Sequence, residues 1–136
     1  MGYTRYWTRT DKPISIEFLN EVKQIINTSE KKGIHICNSD GYGLPIVAEE
    51  GIHLNGNAEM KCDCEDFSIT NNPGSYFCKT ERKPYDYTVR RILKAGEQLG
   101  IFTNVNSDGP TETKITTDEQ WKADDDAFYN MIHSLN

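Results

Sequence analysis

The stretch Pro84-Tyr85-Asp86-Tyr87-Thr88-Val89-Arg90-Arg91-Ile92-Leu93-Lys94-Ala95-Gly96-Glu97-Gln98-Leu99-Gly100-Ile101 decides the fold class of this chain. Val89, Ile92, Leu93 and Leu99 recur at the spacing of one helical face, Pro84 suits the first turn, and Gly100 suits the stop. The apolar run Ile101 to Val105 then predicts a strand. A helix that feeds directly into a strand makes this a mixed chain, and the remaining question is how the other strands are arranged.

Toward the N-terminus, Asn71-Asn72-Pro73-Gly74 is dense in turn formers and closes a set of short apolar runs. Those runs, at Ile34 to Cys37, Ile46-Val47, Gly51 to Asn55 and Glu65 to Thr70, predict short strands in an antiparallel meander, with Asn55-Gly56 as a turn. The segment from Asn38 to Pro45 predicts the loop between the first two. Before them, Ser15 can cap a helix carrying Phe18, Leu19, Val22, Ile25 and Ile26 on one stripe, with Gly33 ending it. Tyr3 to Thr10 alternates aromatic and polar residues as a strand does and stops at Asp11-Lys12-Pro13. Toward the C-terminus, Thr117-Asp118-Glu119-Gln120 predicts the start of a third helix, with Trp121, Phe128, Met131, Ile132 and Leu135 on its buried face. The order predicts one α+β domain over residues 1–136, a mostly antiparallel sheet packed against about three helices. A β-sandwich fits the helices poorly.

A chain of 136 residues can bury a core without disulfides or metal. No basic leader followed by an apolar run is present, and no apolar run approaches the roughly 20 residues that span a bilayer. The expected location is cytoplasmic, where Cys37, Cys62, Cys64 and Cys78 stay reduced. Cys62-x-Cys64 with Cys37, Cys78, His35 and His53 lacks the paired spacing of a zinc site, so neither metal nor cofactor is expected. Fifteen basic against 21 acidic residues give a net charge of −6, which opposes binding to duplex nucleic acid.

Against that acidic background, residues 77–87 concentrate Lys79, Arg82 and Lys83 beside Thr80, Tyr85 and Asp86 at a helix start. Cations, a hydroxyl and phenols near unpaired helix N–H groups suit a phosphate or carboxylate. Tyr3, Arg5, Tyr6 and Trp7 interleave aromatics with a cation on the first strand, as a stacking surface for a base does. In such a site Asp86 pairs with Arg82 or accepts from a ribose hydroxyl. The alternative for each is structural: Trp7 or Tyr3 in the core, Arg5 solvated, and Asp86 complementing the helix dipole. Cys78 beside Lys79 is a candidate nucleophile, against a packing role in a strand. The acidic groups at 63–66 and 124–126 read as solvated faces.

Met1-Gly2-Tyr3-Thr4-Arg5-Tyr6-Trp7, Ile52-His53-Leu54-Asn55-Gly56, Glu65-Asp66-Phe67, the run Phe77 to Asp86 and Ser107-Asp108-Gly109 resemble the landmarks of a family of small phage, prophage and bacterial proteins. That family usually begins Met-Gly-Tyr-Thr-His-Tyr-Trp, and this chain carries Arg5 at the histidine position. The resemblance implies a phage or prophage accessory protein acting in the host cytoplasm. The expected function is to bind a small phosphate-bearing, nucleotide-like ligand, with sequestration of a host-defence nucleotide signal as its use. Lys79 and Arg82 meet the phosphate, Thr80 and Asp86 orient the sugar, Tyr3, Trp7 or Tyr85 stack, and Arg5 lies alongside. The competing functions are an enzyme on phosphoester or nucleotide bonds, using Cys78, Tyr85 or Asp86, and an acidic inhibitor of a nucleic-acid-binding host defence protein. A second copy of the chain is a further possible partner.

Overall fold

The protein is an α+β fold of two antiparallel sheets and two helices in a computed structural model that describes residues 3–108. β1 (Thr4–Arg9) leads into α1 (Ile16–Lys31), followed by β2 (Ile36–Cys37), β3 (Ile46–Ala48), β4 (Gly51–Gly56), β5 (Phe67–Ile69) and β6 (Gly74–Lys79). α2 (Asp86–Gln98) and β7 (Phe102–Ser107) complete the order. The helix expected from Thr117 and the acidic group at 124–126 lie outside the described residues.

Local chemistry sets both ends of α1 and the end of α2. Ser15 caps α1 by accepting from the Phe18 N–H at 3.1 Å, and Gly33 follows its end with φ of +83°. Gly100 plays the same part after α2 at φ +76°, a value that glycine adopts without a Cβ clash. Phe18, Leu19 and Val22 of α1 and Val89, Ile92 and Leu93 of α2 enter a shared core. Where the helices cross, Ser29 and Thr88 share a 2.6 Å hydroxyl contact, and Ser29 also donates to Ile25 O. This keeps two buried hydroxyls paired.

The strands depart from the expected single sheet. β1 lies between β6 and β7 in one antiparallel sheet, while β4 pairs with β2, β3 and β5 in another. β6 extends beyond the strand setting expected for Cys78, because its Gly74-Ser75 start reads as the tail of a turn. Asn55-Gly56 is also not a turn: both residues pair across to Cys37 and Ile36. The Asn55 amide is 2% exposed, and it donates to Ser39 O and Cys64 O while accepting from the Gly56 and Cys64 N–H groups. An asparagine so fully bonded locks the strand to the loop ahead of β5. Among the described residues no helix is long and apolar enough to cross a membrane.

The inner face of β1 carries Arg5, Trp7 and Arg9, all buried, and the outer face carries Thr4, Tyr6 and Thr8. Trp7 sits amid Phe67 at 5.1 Å and Phe102 at 6.3 Å in edge-to-face contacts, and Phe18 meets Phe102 at 5.7 Å. This aromatic cluster joins the sheets to both helices.

Candidate functional site

The cation-rich run of residues 79–86 is the connection between β6 and α2, and its backbone is tightly turned. Thr80 and Glu81 N–H groups both donate to Tyr3 O at 3.0 Å, and Lys83 N–H returns to Thr80 O at 3.0 Å. Glu81 and Arg82 hold φ of +52° and +58°. Two successive left-handed residues closed by that hydrogen bond match a type I′ turn, which ordinarily uses glycine or asparagine. Each such residue costs about 1–2 kcal/mol relative to a right-handed one.

The turn places Thr80 and Asp86 beneath Arg5. The Arg5 guanidinium grips both oxygens of Asp86, Nε to Oδ1 at 3.0 Å and Nη2 to Oδ2 at 2.8 Å, and Thr80 donates its hydroxyl to Oδ1 at 2.7 Å. Burial by itself pushes the Asp86 carboxyl up. The Arg5 charge and hydrogen bonds, the Thr80 hydroxyl and the nearby Arg90 charge outweigh it and hold the group below the ordinary carboxylate range. Tyr3 covers this network, with Arg82 stacked 4.2 Å from its ring centroid and Arg5 at 5.1 Å.

Of the expected ligand residues, the structure thus brings Tyr3, Arg5, Thr80, Arg82 and Asp86 together, as an internal constellation. Asp86 pairs with Arg5 rather than with Arg82, because β1 runs antiparallel to β6 and delivers Arg5 inward at the start of α2. The anion suited to this helix start is supplied by the chain's own Asp86 in the first turn. Trp7 is a core residue at 3% exposure, corrected from a stacking role. Tyr85 is likewise enclosed, donating its hydroxyl to Glu65 O at 2.6 Å. Lys79 alone stands apart, half-buried, with its ammonium 3.5 Å from Glu81 in a surface pair of small energetic weight.

The two candidate nucleophiles are packing groups here. Cys78 is 1% exposed in β6, and burial pushes its thiol well above the usual range. Burial and the adjacent Cys78 do the same to the Tyr85 phenol. A thiol held as the neutral acid inside an apolar core is a poor nucleophile. All four cysteines are free thiols. Among the described residues no three His, Cys, Asp or Glu side chains cluster for a metal ion.

Among the described residues, the exposed candidate surface is the outer face of the β6–β1–β7 sheet. Antiparallel register sets Tyr6 opposite Phe77, Thr8 opposite Ser75, and Thr4 opposite Lys79, with Asn106 flanking Tyr6 from β7. Phe77 is 65% exposed and Tyr6 37%. An open depression of about 330 Å³ runs along this face, lined by Tyr6, Trp7, Thr8, Ser75, Tyr76, Asn104 and Asn106. Of the outward-facing residues along it, Tyr6 supplies an aromatic ring, and Thr8, Ser75, Asn104 and Asn106 supply hydroxyls and amides. The β1–β7 register shifts between Tyr6 and Thr8, opposite the left-handed Asn104 at φ +52°, so a bulge shapes that part of the face. Alternation in β1 signals Tyr6, but Phe77 needs the pairing of β6 with β1 to become part of a surface. No family model matches this chain, and no curated protein and no solved structure matches it either.

Proposed function

We propose that this chain binds a phosphate-bearing, nucleotide-like ligand on the outer face of the β6–β1–β7 sheet. The observation that carries the reading is the exposed cross-strand pair Tyr6 and Phe77, with Lys79 two residues beyond Phe77 on the same face. Two residues along a strand span about 6.6 Å, comparable to the reach from a nucleobase to its 5′-phosphate. An aromatic ring would take the base by stacking, the hydroxyls and amides would meet polar edges, and Lys79 would meet the phosphate as a point charge. The net charge of −6 favours a small ligand over a long polyanion.

The resemblance to phage and prophage proteins supports one use of such binding, removal of a host-defence nucleotide signal from solution. A binder serves that use without turnover, which suits a chain whose Cys78 and Tyr85 are enclosed. The test is calorimetric titration of the full chain with mononucleotides and cyclic dinucleotides, together with mass analysis of small molecules released on denaturation. Saturable binding that is clearly weakened in Phe77→Ala supports the reading. Binding that is unchanged in Phe77→Ala and Lys79→Ala, or no binding across the panel and no released ligand, overturns it.

A further inference from the structure

The loop that follows β4 is held in one shape. Cys62 N–H donates to Asn57 O at 2.9 Å, Lys61 N–H to Ala58 O at 3.0 Å, and Met60 N–H to Asn57 Oδ1 at 3.3 Å. Lys61 takes a left-handed φ of +57°, and the Lys83 ammonium donates to its carbonyl at 3.1 Å. Gly56 lies directly beneath. A Cβ there would stand 1.9 Å from the Cys62 carbonyl oxygen, so only glycine lets the loop come this close.

Between this loop, the residues after α1 and the start of α2 lies a cavity of about 30 Å³. That is about a tenth of the smallest usual organic-ligand pockets of roughly 300 Å³, so the space suits an ion better than an organic ligand. His35, Met60 and Cys62 all line it, an imidazole, a thioether and a thiol from two separate segments. The imidazole is also oriented. His35 Nδ1 lies 3.0 Å from Glu30 Oε1, and Glu30 Oε2 accepts the Ile36 N–H at 2.8 Å. A carboxylate on Nδ1 favours the tautomer with Nδ1–H as donor and leaves the Nε2 lone pair for a metal, the usual support for a ligating histidine.

We propose that His35 Nε2, Met60 Sδ and Cys62 Sγ form a binding site for a soft monovalent cation, copper(I). Thiolate and thioether donors select copper(I), whereas magnesium and calcium prefer oxygen and zinc sites are built from thiolate, imidazole and carboxylate. The pattern of Cys and His spacings misses this set because its third donor is a methionine. Binding exchanges the Cys62 thiol proton for the cation and releases that proton to solvent. Met60 is 55% exposed, which leaves a path for entry.

Anaerobic titration of the full chain with copper(I) against a chromophoric copper(I) chelator tests the site. One copper per chain is expected. Met60→Leu and His35→Gln should each weaken binding about tenfold or more, and Glu30→Gln should do so about 10–100-fold by releasing the imidazole. Cys62→Ser should abolish binding. Cys64→Ser and Cys37→Ser should leave it unchanged, since neither residue lines the cavity. Melting temperatures of the metal-free variants separate ligand loss from misfolding, and Met60→Leu nearly conserves volume. Full affinity in Met60→Leu and His35→Gln, loss of the ion in Cys64→Ser, or no copper binding by the unsubstituted chain would each overturn the proposal.

Discussion

Arg5 and Asp86, 81 positions apart in the chain, are joined by two parallel hydrogen bonds of 3.0 and 2.8 Å with both residues 1% exposed. The pair fastens the first strand to the start of α2. A planar guanidinium fork matches both carboxylate oxygens at once, which a lysine could not do.

Removing either partner leaves a buried charge without its counterpart. Asp86→Asn and Arg5→Met are each expected to cost about 3–5 kcal/mol of folding stability. The double variant Arg5→Met/Asp86→Asn should cost less than the sum, because it removes both charges together. Urea unfolding of the four proteins measures the coupling. Single-variant costs under about 1 kcal/mol would show that the pair is not structural.

The same carboxylate sets an acid limit. Its folded-state pKa lies below the unfolded value, so its contribution is complete above the unfolded pKa of about 3.9 and is lost as pH falls through the folded one. Stability should therefore fall with acidification below about pH 4. In Asp86→Asn the slope of stability against pH there should be shallower by up to one proton. Urea midpoints between pH 2 and pH 5 check this, and identical slopes would remove Asp86 from the acid response.

The outer sheet face is separable from the core. Phe77→Ala should weaken mononucleotide binding by about 1–3 kcal/mol, the range for loss of one stacked base. Lys79→Ala should cost about 1.5–3 kcal/mol of affinity, the range for a hydrogen bond to a charged group. Neither should unfold the protein. Trp7→Ala, by contrast, should lower stability by about 3–5 kcal/mol, because it empties the aromatic centre. Titration and melting on the same preparations tell these outcomes apart. A large loss of stability in Phe77→Ala would mean that its side chain packs within the fold.

Gly96→Ala places propensity and packing in opposition. Alanine is favoured over glycine within a helix by about 1 kcal/mol. A Cβ at Gly96 of α2 would, however, stand 2.2 Å and 2.3 Å from two Phe102 ring carbons. The core must shift, and the variant should lose about 1–3 kcal/mol overall. A rise in melting temperature would show that Phe102 yields more freely than its enclosed ring suggests.

Glu81→Gly should do the reverse. Glycine relieves the left-handed backbone at φ +52°, and the surface pair to Lys79 that it removes is weak. We expect a gain of up to about 1 kcal/mol, reduced by the greater freedom of the unfolded chain. Arg82→Gly should gain less, because it also surrenders the contact with Tyr3, worth about 0.5–1 kcal/mol at an exposed site. Chemical denaturation of both variants decides the order, and a clear loss in Glu81→Gly would contradict it.

What the sequence alone determined was local. The stripes of α1 and α2, the Ser15 cap, the Gly33 and Gly100 stops and the α+β class follow from periodicity and end chemistry that act within a few residues. The cation run of residues 79–86 was also legible as unusual. Its meaning depended on a contact 81 positions away, because only the β1–β6 register brings Arg5 to Asp86 and turns a candidate anion site into a closed ion pair. Trp7 and Tyr6 are neighbours in sequence with opposite fates for the same reason: alternation says that they face opposite ways, and packing against Phe67 and Phe102 chooses which one is inside. Phe77 and the grouping of His35 with Met60 and Cys62 were hidden altogether. A turn-like Gly74-Ser75 start masked the extent of β6, and a cavity wall is assembled from segments whose spacing along the chain carries no record of their approach.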